Sequence, residues 1–284
     1  MTIKVKLSGG LGNQMFQFAT GFAVAKKNNV KLILDLKYIN RRHLFNGFEL
    51  DNVFNIYSKV SFLNKGFSFK SFNFKDVFNK LNLNFYNFEE PHFHYTSKIL
   101  DIPKHSFLDG YWQSELYFKD YFKEIKEIFT FSDPPDKQNN LIINDINQTN
   151  SVSIHIRRGD FLLKKNNNHL TDLKDYYLKA INETSKIFKN PKYFIFTDDP
   201  LWVAENFDLN HSYINVNINH GNKSFLDMYL MSLCKSNIIA NSSFSWWSAW
   251  LNNKTDKIIY APKNWFNDQS ISTIDLIPKT WRII

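Results

Sequence analysis

The feature that most constrains the fold is the alternation of short apolar strands with amphipathic helices in the second half of the chain. A β-branched run at Val152–Ile156 is followed by a helical pattern over about Lys174–Phe188 and by a second apolar run, Tyr193–Phe196. The alternation continues with a strand near Tyr213–Val216 and a helix over Phe225–Leu233. Strands that alternate with helices are typical of parallel sheets joined by right-handed crossovers. The pattern therefore predicts an α/β fold.

The first half of the chain opens with a similar βαβ pattern. Strand Ile3–Leu7, a helix over about Gln14–Asn28 and strand Lys31–Leu36 follow one another, with a glycine-rich turn after the first strand. A polar stretch over residues 133–140 separates the two halves. The sequence therefore predicts two regions, residues 1–148 and residues 149–284.

The glycine-rich turn after the first strand matches part of a dinucleotide-binding pattern. Gly10 and Gly12 supply the first two glycines of the G-x-G-x-x-G pattern, but Met15 stands at the third position. Asp35 lies about where a ribose-binding acid is expected, so a nicotinamide-dependent oxidoreductase remains an alternative. The broken pattern counts against it. Without dinucleotide binding, the glycines still predict a turn where the backbone closely approaches another group.

Two amides follow that turn at the predicted start of the helix. Asn13 and Gln14 are suited to bind a phosphate, a sugar hydroxyl or a backbone group there. An ordinary N-cap role for Asn13 is the alternative.

Two adjacent arginines follow the strand Val152–Ile156. Arg157 and Arg158 belong to the run His155–Asp160, and ligand crevices of open α/β sheets lie at the carboxyl ends of strands. A guanidinium is a rigid fork of donors that suits phosphate oxygens, so the run predicts an anionic, phosphorylated ligand. The alternative is an arginine pair that bridges to Asp or Glu within the fold.

Metal chemistry has little support in the sequence. The eight histidines form no H-x-x-x-H pattern, and no D-x-D triplet is present to hold Mg²⁺ on a nucleotide sugar. Asp198 and Asp199 are adjacent, and Pro200 starts the next helix, so Asp199 is also explained as an N-cap. We therefore expect no metal and no cofactor. Arginines and helix N-termini would then stabilise a negatively charged leaving group.

The composition narrows the class of partner. Of the 284 residues, 43% are hydrophobic and 22% charged, and the net charge is +8. The basic residues are scattered, so nucleic acid is disfavoured against a phosphorylated substrate or an anionic membrane surface. No secretion signal and no long apolar stretch are evident, which predicts a cytoplasmic location, with peripheral contact at the inner membrane face as an option. Seven tryptophans keep a non-catalytic carbohydrate-binding protein open as an alternative.

Several motifs together resemble the alpha-1,2-fucosyltransferases of glycosyltransferase family eleven. They occur in the same order from both ends of the chain, so the resemblance is nearly complete in coverage and thinnest over residues 58–88. The motifs are Gly9–Gln17, Gly110–Glu115, His155–Asp160, Phe196–Asp199, Asp227–Ser232 and Asn241–Trp247.

The resemblance implies a GT-B fold, in which two Rossmann-like lobes with parallel sheets face each other across a cleft. It implies L-fucose transfer from GDP-fucose to a galactose 2-hydroxyl of a glycan, lipid-linked or free, with inversion and without a metal. A different linkage is the alternative. Residues 1–148 would be the acceptor side and residues 149–284 the GDP-sugar side.

The resemblance also assigns roles to single residues. Arg157 would bind the β-phosphate, Asp227 would bind guanine, and Asn13 and Gln14 would reach the fucose or the acceptor. Asp227 as a solvent-facing acid at a helix start is the alternative. The other residues that would line the site are Gly10, Gly12, Gln14, His155, Arg158, Asp160, Asn241, Ser243, Phe244 and Ser245.

Two questions stay open at this point. Inversion needs a base for the acceptor hydroxyl, and the candidates are Asp160, Glu115 and a phosphate oxygen of the donor. The segment from Ser58 to Phe88 concentrates phenylalanine beside lysine. It would either shape the acceptor side near anionic lipid or fill the core of the first region.

Overall fold

The computed structural model describes residues 1–39, 46–56, 59–63, 85–132, 135–159, 173–207 and 211–284. The predictions for Asp160 and for most of the segment 58–88 therefore lie outside the described residues. The chain forms two compact units, Met1–Thr130 and Phe131–Ile284. In the described part of the chain, no helix is long and apolar enough to cross a bilayer.

The first unit is an α/β sandwich with a parallel sheet. Its strands run in the order β3-β2-β1-β5-β4, and each neighbouring pair is parallel. Its elements are β1 (Thr2–Lys6), α1 (Leu11–Lys27), β2 (Lys31–Asp35), α2 (Leu50–Phe54), β3 (Ser61–Leu63), β4 (Tyr86–Glu89), β5 (His105–Asp109) and α3 (Phe122–Ile128).

Helix α1 packs closely on this sheet. A Cβ atom on Gly21 would lie 2.4 Å from a methyl of Val5, so glycine is needed where the helix meets strand β1. Met15, Phe18 and Ala19, on the same helix, are fully buried. The apolar spacing that predicts this helix therefore marks the side that is buried.

The second unit contains a six-stranded parallel sheet in the order β11-β10-β9-β6-β7-β8. Its strands are β6 (Asn150–Ile156), β7 (Pro191–Thr197), β8 (Tyr213–Val216), β9 (Ser236–Ile238), β10 (Ile258–Ala261) and β11 (Arg282–Ile283). Its helices are α4 (Lys137–Gln148), α5 (Lys174–Ile187), α6 (Pro200–Asn206), α7 (Phe225–Leu233) and α8 (Ser243–Leu251).

Helices cover both faces of the second sheet. Val152 and Ile154 of β6 lie in one apolar cluster with residues of α5 and α6, such as Tyr177. Phe194 of β7 lies in another, with residues of α4 and α7 such as Leu230. Burial on both faces explains why these strands are almost entirely apolar. The predicted α/β fold with parallel sheets is confirmed.

The division between the units differs from the boundary predicted after residue 148. Helix α4 belongs to the second unit, because its Ile146 is buried in the cluster that contains Phe194 and Leu230. The second unit begins at Phe131, and α4 begins at Lys137, within the predicted polar stretch.

Candidate active site

The order of strands in the second unit brings three sequence motifs to one edge of the sheet. Strand β6 lies between β9 and β7, and all three are parallel. Their carboxyl ends therefore meet at the same edge. The segments that follow them there carry Arg157, Arg158, Asp198, Asp199 and the start of α8.

Each arginine of the pair is held by a carboxylate from the end of β7. Nη1 of Arg157 lies 2.8 Å from Oδ2 of Asp198, and Nε of Arg158 lies 3.3 Å from Oδ2 of Asp199. The ion pairs that the alternative interpretation expects, between the arginines and acids within the fold, are thus formed in the structure. The arginine side chains keep 30% and 25% of their surface exposed. They are oriented by the fold and still accessible to a ligand.

Further contacts fix this arrangement. The guanidinium carbon of Arg158 lies 4.2 Å from the ring centroid of Trp202, a cation–π contact. Asp199 accepts a hydrogen bond from the Trp202 amide through its other oxygen, which confirms it as the N-cap of α6. The Arg158 amide donates to Asp198 over 2.8 Å. A Cβ on Gly159 would lie 2.9 Å from Asp198, so this glycine makes room for that carboxylate.

His155 is buried at the end of β6 and is neutral near pH 7. Burial, and secondly the Arg157 cation, lower the pKa of His155 to about 4. Its ring centroid lies 5.8 Å from that of Phe244. Its Nδ1 is buried and makes no hydrogen bond with the described residues. Such a nitrogen is suited to meet a polar group of a ligand.

The N-terminus of helix α8 lies at the same edge of the sheet. Ser242 caps it, with its hydroxyl accepting from the Phe244 amide over 3.3 Å. Ser243 and Phe244 are half-buried. A helix N-terminus favours an anion, so this arrangement can bind phosphate together with the arginines.

Two other predicted site residues of this segment have structural contacts. The side-chain amide of Asn241 donates to the carbonyl of Trp265 over 3.0 Å, and Asn241 is buried. The hydroxyl of Ser245, also fully buried, donates to the carbonyls of Ala240 and Ser242. Both side chains therefore shape the turn before α8 from inside the protein.

Asp227 lies in the first turn of α7 and is half-buried. Burial raises its pKa to about 7, although a hydrogen bond from Asn219, 2.8 Å long, acts in the opposite direction. Its partial burial and its hydrogen bond with Asn219 distinguish it from a fully solvent-facing helix acid. A half-buried carboxylate with a raised pKa is typical of a functional site.

The glycine turn of the first unit is built differently from the prediction. Gly9, with φ +77°, is in the left-handed region, whereas Gly10 is the extended N-cap of α1 and Gly12 is a residue of that helix. The helix thus begins before the predicted start. Asn13 is not the N-cap, and its Oδ1 accepts from Gln113 over 2.8 Å.

Gln14 binds the backbone of its own unit. Its amide donates to the carbonyls of Gly9 and Gly47, and its carbonyl oxygen accepts from the Glu49 amide over 3.0 Å. The residue is fully buried. These bonds connect the glycine turn to the segment before α2, a role that the sequence pattern did not reveal.

Glu90 fixes the loop that follows β5. Its two carboxylate oxygens accept from the amides of Tyr111 and Trp112 over 2.7 and 2.9 Å. Trp112 is fully buried, and its φ of +57° is a backbone conformation that residues other than glycine rarely adopt. Glu115, one candidate base, is half-buried in this loop. The sequence did not point to Glu90.

Comparison with known proteins identifies the family. The profile described as "Glycosyl transferase family 11" matches residues 1–284. The chain belongs to glycosyl transferase family 11. It is 36% identical to an alpha-1,2-colitosyltransferase of Escherichia coli, over 98% of this chain and 97% of that protein. It is 32% identical to the O-antigen biosynthesis glycosyltransferase WbnK of Escherichia coli, over 95% and 97% respectively.

The fold of this family 11 glycosyltransferase also occurs in a solved fucosyltransferase. The crystal structure of NodZ alpha-1,6-fucosyltransferase soaked with GDP-fucose matches with a TM-score of 0.50 and 12% sequence identity. The match covers 88% of this chain and 92% of that one. At this identity the likeness concerns the fold.

The structure also bears on two alternatives, an oxidoreductase and a carbohydrate-binding protein, and both outcomes agree with membership in family 11. Asp35, the would-be ribose acid of an oxidoreductase, is buried and lies 2.9 Å from Nζ of Lys4. Six of the seven tryptophans, all of them described, are buried, and the seventh is Trp202 under Arg158. The tryptophans therefore form core rather than a sugar-binding surface.

Metal binding has no evident centre in the described part of the chain. No group of three or more His, Cys, Asp or Glu side chains is placed there to hold an ion. Cys234 is a free, buried thiol.

Proposed function

We propose that this family 11 glycosyltransferase transfers L-fucose from GDP-fucose to a galactose 2-hydroxyl of a glycan, with inversion. The observation that carries the proposal is the edge of the second sheet, where two accessible guanidiniums and the N-terminus of α8 converge. This combination suits a pyrophosphate. A solved structure of similar fold was soaked with GDP-fucose, which supports this donor class.

In this mechanism the charged groups of the second unit act on the leaving GDP. Arg157 binds the β-phosphate and stabilises the negative charge that develops as the bond to fucose breaks. Asp198 keeps its guanidinium in place, so little reorganisation is needed during the reaction. Ser243, Phe244 and His155 line the same pocket. The two N–H groups on the Watson–Crick edge of guanine match the Asp227 carboxylate.

The acceptor side is proposed to be the first unit, where Asn13 is the candidate contact for the acceptor sugar. A base must take the proton of the acceptor hydroxyl as the new bond forms. Asp160, Glu115 and a phosphate oxygen of the donor remain the candidates for that base. No metal is needed in this scheme, because arginines and a helix N-terminus provide the positive charge.

A second donor is favoured by a specific observation. One relative that matches almost the whole chain is an alpha-1,2-colitosyltransferase. Colitose is L-fucose without its 3-hydroxyl, so the same nucleotide site and the same linkage chemistry serve both sugars. GDP-colitose is therefore the second candidate donor.

A donor and acceptor panel tests the proposal. The protein is incubated with GDP-fucose, GDP-colitose, GDP-mannose and UDP-galactose, each with galactose-terminated oligosaccharides, and the product linkage is determined by NMR. We expect transfer from GDP-fucose with an α-1,2 linkage. If GDP-colitose alone supported transfer, it would take the place of GDP-fucose as the assigned donor. Transfer only from a UDP-sugar would overturn the assignment of a GDP-sugar donor.

The cellular location stays a prediction. The acceptor is a galactose-terminated oligosaccharide, free or lipid-linked, and one O-antigen biosynthesis relative supports a cell-surface glycan. A lipid-linked acceptor fits a cytoplasmic enzyme with peripheral contact at the inner membrane face.

A further inference from the structure

A pair of buried asparagine side chains lies behind Asp227. The Asn139 amide donates to Oδ1 of Asn219 over 2.9 Å, and the Asn219 amide donates to Oδ1 of Asn139 over 2.9 Å. They are 1% and 6% exposed. Asn219 uses its second N–H to donate to Oδ1 of Asp227 over 2.8 Å.

This reciprocal pairing fixes the orientation of the Asn219 amide. If that amide were flipped, its oxygen would face the Asp227 carboxylate and two acceptors would meet. Asn139 is fixed in turn by Asp136, the N-cap of α4, which accepts from both its backbone and its side-chain nitrogen over 3.0 Å. The contacts therefore form one chain from the start of α4 to Asp227.

The carboxylate at the end of this chain has only a neutral donor. Among the described residues, Asn219 is the one side chain that donates to Asp227, and no cation is paired with it. A half-buried carboxylate without a cationic partner carries a desolvation cost, which a ligand that donates hydrogen bonds to it would reduce. One hydrogen bond at Oδ1 sets its rotation and leaves lone pairs of both oxygens for two further donors.

We infer that Asn219 is a positioning residue that sets guanine specificity by orienting the Asp227 carboxylate, and that Asn139 fixes Asn219. The inference rests on the proposed function, in which Asp227 binds guanine. Guanine presents two adjacent N–H donors, N1–H and N2–H, that match two carboxylate oxygens only at one rotation. The hypoxanthine of IDP lacks the N2 amino group and loses one of these bonds.

The test compares the Kd values of GDP and IDP by calorimetry. We expect the parent protein to bind GDP about tenfold more tightly than IDP, the usual size of a hydrogen bond to a charged group. In Asn219→Ala the preference should fall to about twofold, and kcat at saturating GDP-fucose should stay within about threefold of the parent. Asn139→Ala should show the same loss to a smaller extent. Asn219→Leu, which keeps a similar volume but removes the donor, is the second variant if the alanine form does not fold.

Asn252→Ala is the matched control. Asn252 is fully buried in the same unit and donates to the Cys234 carbonyl and to Asn237, away from Asp227. This variant should lose stability and keep the GDP preference. An unchanged preference in a folded Asn219 variant, with Asp227→Asn abolishing it, would overturn this inference and leave the proposed function intact. A parent protein that does not prefer GDP over IDP would overturn the guanine assignment itself.

Discussion

At the scale of single residues, the two arginines after β6 have different surroundings. Arg158 is stacked on Trp202 and paired with the acid that caps α6, so its guanidinium is part of the packing. Arg157 pairs with Asp198 and keeps 30% of its side-chain surface exposed, against 25% for Arg158. Arg157 is therefore the better candidate for direct contact with the leaving phosphate.

Arg157→Ala should lower kcat by about a hundredfold, as removal of an oxyanion donor does. Arg157→Lys should also be slow, because a point charge does not reproduce the planar fork. Initial rates with GDP-fucose measure both. Lys192→Ala is the control, because it removes an ion pair of similar exposure, Lys192–Asp145, elsewhere in the unit. Near-normal turnover in Arg157→Ala would refute its role at the donor phosphate.

The raised pKa of Asp227 predicts a pH dependence of donor binding. Because that pKa is about 7, the carboxylate becomes protonated as pH falls below neutrality and can no longer accept from both guanine N–H groups. The KM for GDP-fucose should therefore rise between pH 7.5 and about 6. Kinetics over this range measure the effect. A KM that is independent of pH would count against guanine binding by this residue.

The raised pKa of Asp227 also makes the free energy of unfolding depend on pH. A folded pKa above the unfolded value gives stability that is present below about pH 4 and is lost as pH rises through about 7. Asp227→Asn removes the buried charge, so it should raise the free energy of unfolding by about 1 to 3 kcal/mol at pH 8 and by less at pH 5. Denaturant unfolding at both pH values tests this. A variant less stable than the parent at pH 8 would contradict it.

At the scale of elements, the connections between strands and helices are what the fold specifies most closely. The turn before α1 depends on Gly9, where φ is +77° and a Cβ would lie 2.5 Å from Nδ2 of Asn13. The loop after β5 depends on Glu90 in a similar way, through bonds to two successive amides. Both connections follow the carboxyl ends of strands.

Gly9→Ala should lower the free energy of unfolding by about 2 to 3 kcal/mol, since it combines backbone strain with the displacement of Asn13. Gly221→Ala is the control for backbone strain alone. Gly221 has φ +55°, and no atom lies within 4 Å of its would-be Cβ, so its cost should be about 1 kcal/mol. Urea unfolding measures both. Equal costs would show that contact with Asn13 is unimportant.

At the scale of the whole molecule, the two α/β units hold different candidate site residues. The second unit holds the arginine pair, the start of α8 and Asp227, whereas the first holds the glycine turn and the loop Gly110–Glu115. The proposed donor site therefore uses residues of one unit. Contact of the phenylalanine-rich segment with anionic lipid stays a prediction, as it concerns residues mostly outside those described.

Activity of the whole enzyme should survive removal of divalent cations. The sequence lacks a D-x-D triplet, and the proposed donor site uses guanidiniums and a helix N-terminus for positive charge. The transfer rate in 5 mM EDTA is therefore expected to stay within about twofold of the untreated rate. Loss of activity that Mg²⁺ or Mn²⁺ restores would mean that a metal, and not Arg157 alone, acts on the leaving group.

The sequence by itself determined the opening β1–α1–β2 of the first unit and the alternation of strands and helices that begins at β6, whereas β4, β5 and α4 were not predicted. Strand Tyr213–Val216 and helix Phe225–Leu233 have the predicted bounds, because local apolar periodicity and flanking polar residues define them. The placement of Arg157 and Arg158 at a strand end follows from the same local signals. Such signals depend on residues that are close together in sequence, so they can be recognised without the tertiary structure.

Only the tertiary structure decided what each side chain touches. Arg158 and Asp199 are 41 residues apart in sequence, and Asn139 and Asn219 are 80 apart, so no local pattern pairs them. Packing also decided that Gln14, Asn241 and Ser245 point inward to backbone groups, while Asp227 is half-buried against Asn219. The physical reason is that burial and partner depend on which strands become neighbours. In this protein β6 lies between β7 and β9, and that order alone brings the arginines, their acids and the start of α8 together.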